Sequence, residues 1–169
     1  MHRIYKLNLS IVSIFLIASI LLPLNKSHAQ EQEYLGNAVN VEINEEEAPA
    51  PGTIVSGSET GYIISPKEYD SGIYGVVTQT PAITLESTTD STLVPVVFSG
   101  QTKVLVSTEN GEIKKNDLIT SSATPGIGMK ATANGFVLGT ALEDYSGEEV
   151  GTMLINVSPH YVRCKCSNT

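Results

Sequence analysis

The stretch that decides the fold is KVLVSTENGEIKKNDLITSSATPGIGMKATANGFVLGTAL, residues 103–142. Its short apolar runs are separated by turn-forming residues, among them Asn110-Gly111 and Asn134-Gly135. Asn-Gly tolerates the positive φ that both central positions of a type I′ β-hairpin turn require. We therefore predict a hairpin turn at each Asn-Gly pair. We expect Val at either glycine to destabilise the domain by about 1 kcal/mol or more.

The same pattern extends in both directions from this stretch. Short apolar runs recur over residues 53–56, 62–65, 73–78, 94–99, 103–107, 117–121, 128–131, 136–142 and 152–157. This spacing predicts an all-β fold, a small barrel or sandwich of short antiparallel strands and hairpins. No window after the N-terminal apolar run keeps a helical period over three turns, so we predict no substantial helix there. Pro95 lacks an amide proton, so its strand begins there, lies at an edge or carries a bulge.

The N-terminal residues have the order of a secretory signal. Arg3 and Lys6 precede an uncharged apolar run over residues 7–24, and small residues occupy the −3 and −1 positions of a cleavage site after Ala29. We predict a signal helix that is cleaved before Gln30, and a protein that is secreted or held in the cell envelope or at the cell surface. The run is close to the about 20 residues that span a bilayer, so a single-pass membrane anchor through residues 7–24 is the alternative.

Composition divides the rest of the chain into three parts. Residues 30–51 are rich in Glu and end in Ala48-Pro49-Ala50-Pro51, which predicts an acidic, solvated linker. Within this linker only residues 38–43 alternate in polarity, so they are the candidate for an added edge strand. We predict that the β domain covers residues 52–158 and that residues 159–169 form a tail with a Cys-x-Cys sequence.

Charge and cysteine usage exclude some classes of protein. The chain after Ala29 has 7 basic and 18 acidic residues, a formal net charge of −11. So acidic a chain repels nucleic acid and anionic lipid, and we expect no nucleic-acid partner. Cys164 and Cys166 are the only cysteines. Because both lie in the tail, no disulfide framework can hold the domain body, which must depend on an apolar core.

Residues that carry chemistry are few. His160 is the only histidine after Ala29, and we interpret it as an exposed residue of the tail. With Cys164 and Cys166 it makes a weak candidate metal site, since structural zinc sites usually have four ligands. An intermolecular disulfide through the two cysteines is the sharper hypothesis. We predict no catalytic residues and no cofactor.

Two pairs of acids flank Tyr145. Glu143-Asp144 and Glu148-Glu149 resemble in composition the paired carboxylates of glycosidases. Both pairs belong to one polar turn, and no aromatic cleft accompanies them in the sequence. We therefore interpret them as solvated turn acids, and weak calcium binding is the alternative.

Several segments, taken in order, look like a known β-rich module. They are residues 69–77, 80–81, 94–104, 107–113, 117–122, 124–126, 129–131 and 139–144. Together they resemble a module of bacterial surface proteins and of phage tail or neck appendage proteins. In some appendage proteins a similar module belongs to the G2-type autoproteolytic, intramolecular-chaperone domain. The resemblance covers residues 52–157 and implies a structural part of an extracellular fibre or envelope assembly, of which a homotrimer is one form.

This chain departs from the module at one turn. Such modules typically read Pro-Gly-Asp-Leu, where this chain reads Lys115-Asn116-Asp117-Leu118. Asn tolerates the left-handed conformation, so we expect the turn to survive.

The sequence thus favours an exported, non-enzymatic structural or adhesive module that binds protein partners or itself. A self-cleaving appendage or chaperone-type domain is one alternative. An extracellular module that binds glycan or peptide is another, and tyrosines clustered on one face would favour it, with Tyr62, Tyr69, Tyr74 and Tyr145 as the candidates.

Overall fold

The computed structural model describes residues 36–45, 48–85 and 92–163. In these residues it shows β-strands and no helix. The strands are β1 (Gly36–Val41), β2 (Ile54–Ser58), β3 (Gly61–Ile64), β4 (Ile73–Val77), β5 (Ile83–Thr84), β6 (Val94–Val106), β7 (Leu118–Ser121), β8 (Gly128–Lys130), β9 (Gly135–Ala141) and β10 (Gly151–Val162). The β1–β5 and β6–β8 pairs are parallel, and the other strand pairs are antiparallel. The prediction of an all-β, largely antiparallel fold is confirmed for this part of the chain, and the predicted signal helix lies outside it.

Every apolar run predicted from residue 53 onward overlaps a strand. The runs 94–99 and 103–107 belong to one long strand, β6, which continues through Gly100 although this residue has a φ of 97°, a value that glycine adopts readily. Pro95 is the second residue of β6. Of the three predicted alternatives, a strand start, an edge or a bulge, this position agrees with the first.

The long strand β6 organises the sheet. Its first half pairs with β1 and β4, and its second half pairs with β10 and reaches β8 at Val106. Gly100 lies opposite both Gly36 and Val157, so β1 and β10 lie on opposite sides of β6 and their pairings overlap at this residue. The pairs β6–β10, β10–β9, β9–β7, β7–β8 and β8–β6 close a ring of five strands.

Two apolar cores lie on opposite faces of the strands outside the ring. Because successive side chains of a strand point to opposite faces, Ile54 and Val76 enter the larger core while their neighbours Val55 and Val77 enter the smaller one. The larger core also receives side chains from every strand of the ring except β8, including Val104, Ile119, Leu138 and Ile155. In the described residues both cores consist of apolar side chains. This agrees with the expectation that a domain body without cysteines depends on an apolar core.

The predicted linker, residues 30–51, contains a strand of the sheet. In β1, Ala38 and Val41 are buried, and Ile43 follows as a further buried residue. The interpretation as a solvated spacer is wrong for residues 36–43, because their apolar side chains complete both cores. Nor is β1 an edge strand, since it lies between β5 and β6. At the other end, β10 continues past the predicted domain boundary at residue 158.

Neither Asn-Gly pair forms the predicted hairpin. Asn110-Gly111 lies in a turn closed by the Gly111 N–H to the Thr108 carbonyl (2.8 Å), but β6 and β7 do not pair with each other. Gly111 has a φ of 95° whereas Asn110 has a negative φ, which excludes type I′. Asn134-Gly135 has no positive φ, and β8 and β9 pair with opposite sides of β7. The pairing of distant strands that bury the core therefore outweighs the local turn preference.

Candidate functional site

Glu143 and Asp144, which precede Tyr145, each accept a hydrogen bond from the backbone. Glu143 Oε1 accepts a hydrogen bond from the Leu154 N–H (2.6 Å), and Asp144 Oδ1 accepts one from the Lys115 N–H (2.7 Å). The Tyr145 hydroxyl donates to the Glu149 carbonyl (2.6 Å), and its ring packs against the larger core. Tyr145 is therefore a structural residue of this turn, and Glu143 and Asp144 stabilise its neighbours.

His160 lies within β10, opposite Val137, and not in a tail beyond the last strand as predicted. Its side chain is exposed, and Nδ1 lies 2.6 Å from the Ser158 carbonyl oxygen. Cys164 and Cys166 lie outside the described residues, as do Ala29 and Gln30, so the metal set, the disulfide and the cleavage site stay predictions. Within residues 36–45, 48–85 and 92–163, no three His, Cys, Asp or Glu residues come together in a way that could hold a metal ion.

The membrane-anchor alternative rests on residues 7–24, which are outside the described part of the chain. In the part that the structure describes, no helix combines the length and the apolar character needed to cross a membrane.

Asp117 and Lys130 form a partly buried ion pair. Lys130 Nζ lies 2.8 Å from Asp117 Oδ2, and the same oxygen accepts a hydrogen bond from the Lys114 N–H (2.8 Å). Burial opposes ionisation of Asp117. The hydrogen bonds from Lys130 and from the Lys114 backbone, with both lysine charges, outweigh burial and hold the pKa of Asp117 below its ordinary value. The preceding Asn116 has a φ of 74°, as expected for the left-handed turn.

Tyr69 joins the loop between β3 and β4 to the start of β9. Its hydroxyl oxygen accepts hydrogen bonds from the backbone N–H groups of Thr132 (2.7 Å) and Ala133 (2.9 Å). The backbone of Tyr69 has a φ of 48°, and the next residue, the buried Asp70, donates its N–H to Ser121 Oγ (3.0 Å). This tyrosine therefore holds a loop in place and does not belong to an aromatic face.

A row of three aromatic side chains crosses the sheet on the face of the smaller core. The ring centroids of Tyr62 and Tyr74 are 4.8 Å apart, and those of Tyr74 and Phe98 are 6.3 Å apart. Tyr62 belongs to β3 and Tyr74 to β4, the two strands that pair with opposite sides of β2. All three rings are half-buried. Two of the four candidate tyrosines thus come together, and Phe98, which sequence reasoning did not single out, joins them.

Within this row, the hydroxyl groups of Tyr62 and Tyr74 interact with each other. Burial, a hydrogen bond with Tyr62 and the charge of Tyr62 raise the pKa of Tyr74 to about 12. Tyr74 is therefore a neutral donor over the physiological range.

The short strand β5 presents an apolar edge. Ile83 is 56% exposed and Leu85, directly after the strand, is 64% exposed. The strand is fixed by the Ala82 N–H to the Gly36 carbonyl and the Leu85 N–H to the Ala38 carbonyl. Among the described residues β1 is its one strand partner. Sequence reasoning missed this edge, although the apolar-polar-apolar order of residues 83–85 was its signal.

A cavity of about 330 Å³ lies where the chain enters β2, beside the start of β6. Its walls are mainly apolar and include Pro49, Pro51, Val77, Leu93 and Pro95. None of its lining residues has an ionisable side chain, so they offer shape and apolar contact but no acid–base group.

A search of protein-family models found no match to this chain, and a comparison with curated proteins also found none.

Proposed function

We propose that this protein is an exported, non-enzymatic structural or adhesive module of the cell envelope or surface. The observation that carries the proposal is the apolar edge at β5. Unpaired strand edges add strands from other chains, and exposed apolar side chains on such an edge favour that contact. Within the part of the chain that the structure describes, β5 pairs with β1 on one side, and Ile83 and Leu85 are exposed beside it.

Other features support the same role. Glu143 and Asp144 accept hydrogen bonds from backbone N–H groups, and the cavity beside β6 has mainly apolar walls. The resemblance of residues 52–157 to modules of surface and appendage proteins points to the same class. A core that needs no disulfide suits a small building block of an assembly.

The test is cell fractionation with chemical cross-linking in the producing organism. The wild-type chain should fractionate with the envelope or the medium and cross-link into complexes, and the I83K/L85K variant should lose most of those complexes. V150K is the matched control, because Val150 is 51% exposed but lies outside β5. A wild-type chain that stays in the cytosol as a monomer contradicts the proposal. Two fragments from one purified chain would support the self-cleaving alternative.

A second candidate function, glycan or peptide binding, is favoured by the aromatic row. Half-buried rings stack on sugar rings or on apolar peptide side chains, while the Tyr74 hydroxyl remains a donor. Neutral oligosaccharides and short peptides, titrated calorimetrically, test this function. Binding that is lost in Y74A and F98A but kept in Y161A supports it, because Tyr161 is an exposed tyrosine of β10. Binding that is unchanged in Y74A excludes this surface.

A further inference from the structure

We propose that Tyr62 and Tyr74 are a site of oxidative modification, at which a dityrosine bond joins β3 to β4 within one chain. The co-reactant is a one-electron oxidant, such as a peroxidase with hydrogen peroxide. This inference goes beyond the proposed function and does not depend on which partner or ligand the protein binds.

The reaction removes one hydrogen atom, as an electron and a proton, from each phenol. The two phenoxyl radicals then couple, and a carbon–carbon bond forms between the ring carbons that lie next to the hydroxyl-bearing carbons. Both rings become aromatic again when the hydrogen atom on each coupling carbon moves to the oxygen of the same ring. One molecule of hydrogen peroxide takes up the two hydrogen atoms that were removed and is reduced to two molecules of water.

The two rings already lie close to the arrangement of the product. Their centroids are 4.8 Å apart and their planes are inclined by 54°. In two directly bonded rings the centroids are about 4.3 Å apart, the length of two ring radii and one carbon–carbon bond. Such rings are also twisted out of a common plane, because the groups beside the new bond would otherwise clash. Coupling therefore needs a small approach of the rings and no change of strand partners.

The hydrogen bond between Tyr62 and Tyr74 brings the reactive edges of the rings together. The carbons that couple are neighbours of the carbons that carry the hydroxyl groups, so hydroxyls in hydrogen-bond contact bring those carbons near each other. Both rings are half-buried. Their exposed parts are open to electron transfer, while the buried parts keep the rings from turning away from each other.

The other tyrosines in the described part of the chain have different neighbours. The hydroxyl groups of Tyr69 and Tyr145 contact backbone groups. Tyr161 packs edge-on against Phe136, which has no hydroxyl group and so forms no phenoxyl radical. Intrachain coupling should therefore be specific to residues 62 and 74.

The cross-link would restrain the sheet around β2. Because β3 and β4 pair with opposite sides of β2, the bond would connect its two neighbours. It would also enclose residues 63–73 in a covalent loop, which lowers the conformational entropy of the unfolded chain. The cross-linked protein should therefore unfold at a higher concentration of urea than the unmodified protein.

The test uses the purified full-length chain and a small one-electron oxidant, light-activated tris(bipyridyl)ruthenium with persulfate. On a reducing gel we expect a monomer band with the blue fluorescence of dityrosine. Mass spectrometry of that band should find the peptides of Tyr62 and Tyr74 linked, with two hydrogen atoms fewer than the separate peptides. Y62F and Y74F should lose nearly all of this product. Y161F is the matched control and should keep it, because Tyr161 is exposed and has no tyrosine partner in the described residues.

Several outcomes would overturn the proposal. Dityrosine that forms only between chains, or an intrachain product that is undiminished in Y62F, shows that the pair is not the site. No dityrosine at all, under conditions that couple free tyrosine, overturns the proposal as well. The peptide map of the wild-type chain keeps the test decisive even if a variant does not fold. A urea midpoint that does not rise in the cross-linked monomer contradicts the restraint on the sheet.

Discussion

The ring of Tyr69 lies directly against Gly135. A Cβ atom at position 135 would come within 2.6 Å of Tyr69 Cδ1, closer than side-chain atoms approach one another. This contact places the Tyr69 hydroxyl under the N–H groups of Thr132 and Ala133, so the glycine at 135 serves the packing of a distant tyrosine.

The G135A variant should therefore destabilise the domain by about 1–3 kcal/mol, because the ring or the strand must shift to admit the methyl group. Urea unfolding followed by circular dichroism measures this. The sequence also predicts that Val at Gly135 is destabilising. The structure gives a different cause, which is the contact with Tyr69 and not a positive φ at Gly135. Equal stability of G135A and the wild type would contradict the close contact.

Loss of the Tyr69 hydroxyl should also destabilise the protein. In Y69F two backbone N–H groups lose their acceptor, and we expect a loss of about 1 kcal/mol in the free energy of unfolding, since both groups are near solvent. Y161F is the control, because Tyr161 is 53% exposed, and it should change stability by less than about 0.5 kcal/mol. Equal effects of the two variants would refute the anchoring role.

The contact between Gly139 and Asn156 gives a sharper test of packing. A Cβ atom at Gly139 would clash with the Asn156 carbonyl oxygen across the β9–β10 pair. Backbone cannot move aside as a flexible side chain does, so G139A should cost about 3 kcal/mol or more. G57A is the matched control, since a Cβ at Gly57 meets only the Gly72 carbonyl oxygen at 3.9 Å. Similar melting temperatures for the two variants would show that the β9–β10 spacing is wrong.

The ion pair of Asp117 and Lys130 predicts a dependence of stability on pH. The pKa of Asp117 is lower in the folded state, so its ionised form stabilises the fold above the ordinary pKa, and this contribution is lost as pH falls through the folded pKa. D117N should lose about 1 kcal/mol at about pH 7 and much less near pH 2.5. Urea unfolding at both pH values measures the difference. E112Q, which removes the exposed pair with Lys114, is the control and should stay close to the wild type. A deficit in D117N that is equal at both pH values would contradict the assignment.

Tyr74 should be visible in an alkaline titration. Its pKa of about 12 in the folded protein means that its neutral form contributes stability below about pH 10, the pKa of an unfolded tyrosine, and that this is lost as pH rises toward the folded pKa. Absorbance of phenolate should show one tyrosine that ionises last, and Y62F should lower that pKa because it alters the coupled hydroxyl. If the titration curve of Y62F matches the wild type in its last step, the coupling between Tyr62 and Tyr74 is absent.

The strands could be predicted from the sequence, whereas their pairing could not. Alternation of apolar residues is a local property, and it located every strand from β2 to β10 except the short β5. Which strands become neighbours depends on distant contacts, and the Asn-Gly turns proved to be poor guides because β7 pairs with both β8 and β9. The same limit applies to β1, whose partner β6 begins more than 50 residues later.

For the candidate surfaces, too, the sequence indicated residues but not their contacts. Tyr62 and Tyr74 were candidates from composition, but their meeting with Phe98 depends on the pairing of β4 with β6. Tyr69 and Tyr145 were equally plausible candidates, and only their hydroxyl partners show that they hold loops. The left-handed Asn116, by contrast, was predictable, because a turn of four residues is a local feature.

The strand β6 contributes to both cores, and its pairings with β1 and β10 overlap at Gly100. Because side chains of β6 are buried in both cores, amide protons between residues 101 and 106 should be among the last to exchange with deuterium. Protons of β1 should exchange earlier, since its release leaves the five-stranded ring closed. The molecule would thus open stepwise. The N-terminal strand β1 would be released first, and the longest strand, β6, would be the last to lose its hydrogen bonds.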